Sequence, residues 1–237
     1  MTEDRPGFTD TPYLPGGEYR VHDPERPHPP RVRPGGPVTA GPPSDATVLF
    51  DGTDLSGWEA ADGGEPGWSV ADGDLVVEPG TGDVRTTELL GDCQIHVEWA
   101  APADPGDATY PGNSGVFLAD RYEVQVLDCS ETAIYADGWV GAIYGQYPPL
   151  ADASLPAGEW QSFDVVWRRP RFEDGSLTSP ARVTVLYNGV LVQEGAEPYG
   201  PTTYRDVLDY DPHGPAPLRL QDHGFRVRLR NVWYRPL

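Results

Sequence analysis

Three short stretches of this 237-residue chain place proton carriers and hydrogen-bonding side chains at alternate positions. In Cys93–Trp99 they are Gln94, His96 and Glu98; in Tyr122–Asp128, Glu123 and Gln125; in Pro217–His223, Arg219, Gln221 and His223. Carboxylates and imidazoles can move protons, carboxamides can orient hydroxyls, and a guanidinium can face developing oxyanion charge. If the three segments share one sheet, these side chains stand about 7 Å apart along a strand and about 5 Å across strands. That is the scale of a monosaccharide.

The alternation also says what holds them. Cys93, Ile95, Val97 and Trp99 form an apolar face opposite the first polar set. Tyr122, Val124 and Val126 do the same for the second, and Leu218 and Leu220 for the third. Each segment therefore reads as a half-buried strand of an antiparallel sheet. Helix-period patterns are scarce. The 28 Gly and 27 Pro punctuate short apolar runs, as expected of many strands joined by turns. Turn signals stand at Asp51-Gly52, Asp72-Gly73, Gly82-Asp83, Asp137-Gly138, Asp174-Gly175 and Asn188-Gly189. The strand-turn rhythm starts at Ala46, so the chain divides into a Pro/Gly-rich N-terminal extension, 1–43, and an all-β domain, 44–237. Tyr13, Leu14, Tyr19 and Val21 give the extension enough apolar character to lie along the domain; His22 and His28 within it receive no role.

Composition narrows the chemistry. The formal charge is −20, which repels phosphate backbones and anionic lipid, so the expected partners include neither nucleic acid nor membrane. All 17 basic residues are Arg, which removes lysine Schiff bases, a lysine general base and a P-loop. Cys93 and Cys129 read as free thiols of a reducing, cytoplasmic setting. No basic-then-apolar leader opens the sequence, and no run approaches the ~20 apolar residues of a membrane span. Seven Trp and twelve Tyr serve core packing, and their amphipathic rings also suit sugar faces.

A series of motifs in order resembles one family. They include LFDGTDLSGW (49–58), WSVADGDLVV (68–77), a Gly-Asp-x-x-Thr turn (82–86), CQIHVEW (93–99), NSGVFL (113–118) and YEVQVLD (122–128). GAIYGQYPP (141–149), GEWQSFDVVW (158–167), VLYNGVLVQ (185–193), PLRLQDHG (217–224) and the terminal VRLRNVWYRPL follow. Residues 46–237 thereby resemble the 3-keto-disaccharide hydrolase domain family. CSETA (129–133) and the N-terminal extension depart from its pattern. The resemblance implies a concanavalin A-like jelly roll of two antiparallel sheets and a small carbohydrate substrate, a glycoside already oxidised to a ketone at ring carbon 3. It implies release of a 3-keto sugar by hydrolysis, or by elimination and hydration.

Such chemistry needs a base near C2, donors for an enolate oxygen and an acid for the leaving group. Glu123 is assigned as base or metal ligand, Gln125 and Gln221 as holders of sugar hydroxyls, His223 or His96 as the acid/base partner, and Arg219 as oxyanion stabiliser. Glu98 would form a glycosidase-like carboxylate pair with Glu123 if their strands are neighbours. Asp128, Asn113, Tyr144 and Trp139 are further substrate-binding candidates. Bland alternatives stand beside these: His96 as a cross-strand histidine, Arg219 in a surface ion pair, Asp128 capping a turn, Asn113 shaping one, and both aromatics in the core. No cofactor is required by the sequence, although His96, Glu98, Glu123 and His223 together could ligate a divalent metal. A lectin-like binding module and a hydrolase of unoxidised glucosides are the competing functions.

Overall fold

The computed structural model describes residues 6–36, 38–130 and 134–237. Its strands form two antiparallel sheets packed into a jelly-roll β-sandwich. The larger sheet runs, in spatial order, β13 (Val190–Ala196), β12 (Arg182–Tyr187), β9 (Gln161–Arg168), β6 (Cys93–Ala100), β15 (Arg228–Pro236), β4 (Asp74–Val76) and β3 (Ser69–Ala71), with β1 (Thr47–Phe50) also paired to β15. The smaller sheet runs β2 (Trp58–Ala60), β5 (Val84–Thr86), β14 (Arg219–Leu220), β7 (Ser114–Leu118) and β8 (Tyr122–Val126). A separate hairpin joins β10 (Arg171–Glu173) to β11 (Ser176–Ser179).

Turn chemistry explains the hairpins. At Asp72-Gly73, Asp174-Gly175 and Asn188-Gly189 both residues take positive φ, the two-residue geometry whose twist matches antiparallel strands. Asp137-Gly138 behaves differently: it is buried in a short 3-10 helix, Ala136–Gly138. CSETA lies partly outside the described residues.

The core fills the space between the sheets. Ile95, Val97 and Trp99 of β6 and Phe163 and Val165 of β9 face Tyr122, Val124 and Val126 of β8 together with Leu218 and Leu220. Burying such side chains contributes about 1.5–3 kcal/mol each. Because both sheets turn their apolar faces inward, their polar faces look out on opposite surfaces. That geometry overturns the expectation of one shared sheet: β6 belongs to the larger sheet, β8 and β14 to the smaller.

The N-terminal segment is docked on this sandwich. Val21 and His22 are fully buried and Leu14 nearly so. Val32 N donates to Asp152 O at 2.8 Å, and Arg31 pairs with Asp152.

Candidate active site

The outward face of the smaller sheet floors a cleft of about 510 Å³. Glu123 and Gln125 of β8, Phe117 of β7, Arg219 of β14, and Gln221 and His223 just beyond it reach the cleft, with Asn113 at its edge. Residues 141–144 extend the sheet past β8, through Gln125 N to Ala142 O (3.0 Å) and Tyr144 N to Glu123 O (3.2 Å). That pairing brings Tyr144 to the wall. Of the sequence-derived candidates, Glu123, Gln125, Gln221, His223, Arg219, Asn113 and Tyr144 therefore line one hollow.

Glu123 is the carboxylate in that lining. Its side chain is almost fully buried, and among the described residues it has no hydrogen-bonded or ion-paired partner. Burial pushes its pKa up to about 8; the nearby Arg219 charge opposes the rise and Asp83 adds to it. Room for the carboxylate comes from Gly115 across the β7–β8 ladder. A Cβ there would stand 2.6 Å from Glu123 Oε1 and 2.7 Å from Phe117 Cε2. The glycine of NSGVFL thus makes space for the carboxylate rather than a turn.

A relay of amides orients His223. Gln125 Nε2 shares its two hydrogens among three acceptors, the carbonyls of Ser114 (3.0 Å) and Val126 (2.8 Å) and Asn113 Oδ1 (2.9 Å). With its oxygen so occupied, Asn113 turns Nδ2 toward His223 Nδ1, 3.3 Å away. Nδ1 then accepts, which leaves Nε2 as the ring nitrogen that carries the proton. Gln125 offers a ligand only its Oε1, whereas the Gln221 side chain has no hydrogen-bond partner among the described residues.

Arg219 is tightly held. Its Nε and one terminal nitrogen pair with Asp120 and Asp83, and its guanidinium lies 3.6 Å over the Phe117 ring. Asp83 also accepts Asp222 N at 2.9 Å, fixing the turn that carries Gln221 and His223. Two carboxylates balance the charge, so Arg219 shapes the floor and the oxyanion role expected of it is not available to a free cation.

Four candidates lie elsewhere. His96 and Glu98 sit on the opposite surface, because β6 turns its apolar face to the same core from the other side. Glu98 accepts from Arg230 Nε and Asn231 Nδ2, both at 2.8 Å, and His96 bonds Asp164 at 2.9 Å and stacks on Trp233. Burial raises the Glu98 pKa, but the bonds from Asn231 and Arg230 outweigh it, and the net shift is downward. The carboxylate pair Glu98–Glu123 and the metal set His96, Glu98, Glu123 and His223 do not assemble. Among the described residues no group of three or more His, Cys, Asp or Glu is placed to hold a metal. Asp128 caps a turn, its Oδ1 accepting Ser130 N at 3.0 Å. Trp139 is packed 5.0 Å from the His28 ring and does not reach the cleft.

Sequence reasoning missed the aromatic wall of Phe8, Tyr110, Tyr135 and Tyr204, and the Thr202-Thr203 pair. Thr202 Oγ1 accepts Glu123 N at 2.9 Å, which brings its loop over β8. No periodicity marks such loop residues. Tyr135 and Tyr144 bond through their hydroxyls at 2.7 Å, and burial drives both phenol pKa values up, so both stay neutral and one O–H remains to donate.

The sequence pattern of the 3-keto-alpha-glucoside-1,2-lyase-like domain matches residues 45–235. Three crystal structures from Parabacteroides distasonis ATCC 8503, each described as a "putative glycosyl hydrolase", are similar to the chain. The first is 41% identical over 90% of this chain and 93% of its own, with a TM-score of 0.81. The second is 26% identical over 81% and 94%, with a TM-score of 0.60. The third, 18% identical over 81% and 99% with a TM-score of 0.54, shares the fold. No functionally curated protein matches the chain.

Proposed function

The chain belongs to the 3-keto-alpha-glucoside-1,2-lyase-like domain family and is thereby carbohydrate-active; from that premise we propose that its cleft cleaves glycosides bearing a ketone at C3, by elimination followed by hydration. The observation that carries this reading is the Glu123 carboxylate, the one acid among the described residues that line the cleft, unpartnered among those residues and with its pKa raised to about 8. Ordinary glycosidases need two carboxyl groups, about 5–5.5 Å or about 6.5–9.5 Å apart. Here Glu98, the expected second, is on the other side of the sandwich.

A C3 ketone makes the C2 proton acidic. Ionised Glu123 takes that proton, and the electron pair moves to the C3 oxygen as an enolate. A carboxylate this basic is matched to the task, since burial that raises its pKa also strengthens it as a base. The His223 Nε2–H and the Gln221 amide are the donors available to the oxygen that gains charge. The enolate then expels the C1 substituent. The leaving oxygen takes a proton from solvent at the cleft mouth, where His223 is exposed. After the aglycone leaves, Glu123 exchanges its proton with solvent; water then adds its hydroxyl to C1 while Glu123 delivers this solvent-derived proton to C2, giving the 3-keto sugar. The protein needs no cofactor in this scheme. Two buried, unpaired thiols support a reducing compartment for the reaction.

The test is incubation of a 3-keto glucoside and its unoxidised parent in heavy water, with products read by mass spectrometry. Cleavage of the oxidised compound alone, with deuterium at C2 of the product, is expected. Cleavage without C2 deuterium would replace elimination by direct displacement, and no turnover of the oxidised compound would end the proposal.

A further inference from the structure

The cleft has two chemically different sides. Most groups that can bind hydroxyls come from the smaller sheet and its edges: Glu123, Gln125, Gln221, Asn113 and His223, with Thr202 and Thr203 added from a loop. Most of the aromatic rings, apart from Phe117 beneath Arg219 and Tyr144 on the sheet extension, come from loops and the N-terminal segment. Phe8 belongs to the N-terminal segment, outside the residues the family pattern matches.

Several contacts set Phe8 in place. Its N–H donates to His22 O at 2.8 Å, and Arg205 lies 3.9 Å over its ring while pairing with Asp10. Its ring meets Tyr204 edge-on, with centroids 6.0 Å apart and planes at 90°, and lies 6.1 Å from Tyr135. His22 is the anchor behind it. Fully buried, it bonds Asp137 twice, through Nδ1 (3.0 Å) and its backbone N–H (2.9 Å), and stacks 3.8 Å from Tyr135. Tyr204 is 61% exposed although it stands at the lip of a cleft.

We propose that Phe8 and Tyr204 form the leaving-group subsite and select glycosides whose aglycone is a flat aromatic ring. The inference rests on the reading of the cleft as glycoside-cleaving. A sugar ring needs partners for its hydroxyls, and the sheet supplies them; Phe8 has no polar atom, so the part of the substrate lying against it carries no hydroxyl to satisfy. Aromatic rings gain most from edge-to-face or offset contact with other aromatic rings, the geometry that Phe8 and Tyr204 already show to each other. A volume of 510 Å³ falls in the range of about 300–1,000 Å³ that takes a drug-sized ligand, which leaves room for an aglycone beside the sugar. The family pattern does not supply Phe8, since its match begins at residue 45.

The experiment compares phenyl and methyl 3-keto glucosides on the full chain, its Phe8→Ala variant and its Phe8→Leu variant, with thermal melting to verify folding. The full chain should show a KM about 10-fold lower for the phenyl compound, the value of one good aromatic contact. Phe8→Ala should bring the two KM values within about 2-fold of each other, chiefly by raising KM for the phenyl compound, and Phe8→Leu should fall between. Equal KM values in the full chain, or equal losses on both substrates in the variants, would overturn the subsite. If neither compound is turned over, the catalytic reading fails and calorimetric binding of the phenyl and methyl compounds still decides: a phenyl preference lost in Phe8→Ala upholds the subsite, and equal affinities refute it.

Discussion

β6 and β8 carry nearly the same polar pattern, yet one ends in a closed network and the other in an open cleft. On β6, Glu98 receives hydrogen bonds from Arg230 and Asn231 and faces His96 Nε2 at 3.5 Å, and His96 is bracketed by Asp164 and Trp233. On β8, Glu123 is as well buried, but the side chains around it are a glycine, a stacked arginine committed to other acids, and neutral phenols. Burial raises both carboxylates; partners then pull Glu98 down, while Glu123 stays near 8. A buried acid left unpaired is costly to a fold and is retained where chemistry uses it.

The comparison is broken most directly by exchanging each acid for its amide. Glu123→Gln should lower kcat/KM on a 3-keto glucoside by about 10²–10⁴-fold, the usual worth of a positioned base, with no loss of melting temperature. Glu98→Gln should leave kcat/KM within about 2-fold and cost roughly 1.5–3 kcal/mol of stability, since it removes a charge that accepts hydrogen bonds. Steady-state kinetics and urea melts of the two variants check both. Equal catalytic losses would erase the distinction drawn between the strands.

Acidity sharpens it next. Activity that needs ionised Glu123 should climb about 10-fold per pH unit and level off above about 8. Stability should respond with opposite signs. The folded chain holds the Glu123 proton above the ordinary value of 4.5, so stability attached to this group is full below that value and lost as pH rises to about 8. Ionised Glu98 stabilises above its ordinary value, and that share is lost as pH falls through its lowered folded value. Relative to the parent, Glu123→Gln should gain stability between about pH 5 and about pH 9, and Glu98→Gln should regain it only in acid. Urea melts across pH show whether the two slopes oppose.

Gly115→Ala tests the space around the β8 carboxylate. The added methyl must push Glu123 Oε1 and the Phe117 edge aside, and a shift near 1 Å can cost about 10²-fold in rate. A fall of about 10–10²-fold in kcat with about 1–3 kcal/mol lost to overpacking is expected. The smallest effect belongs to Asn113→Leu, which leaves His223 free to take either tautomer: about a 10-fold drop in kcat/KM, with the ring-proton NMR of His223 showing the mixed tautomers.

Much of this was legible in the sequence, for identifiable reasons. Alternation in 93–99, 122–128 and 217–223 gives the inward and outward side chains correctly, because a strand has a period of two whatever its neighbours. It does not say which sheet a strand joins, so His96 and Glu98 were drawn into a site that the sandwich places behind them. Charge pairing is equally invisible: Asp83 and Asp120 lie 136 and 99 residues from the arginine they clamp. Phe8 and His22 were hidden by composition. A Pro-rich stretch reads as unable to form a core, and nothing local reveals that another part of the chain provides one.

β15 pairs on one edge with β6 and on the other with β4 and β1, yet it is made from residues 228–236. The larger sheet therefore cannot close between β6 and β4 until a strand far later in the chain than either has been made. Until then the β15-facing edge of β6 is unpaired, the kind of edge that invites wrong strand pairing during folding.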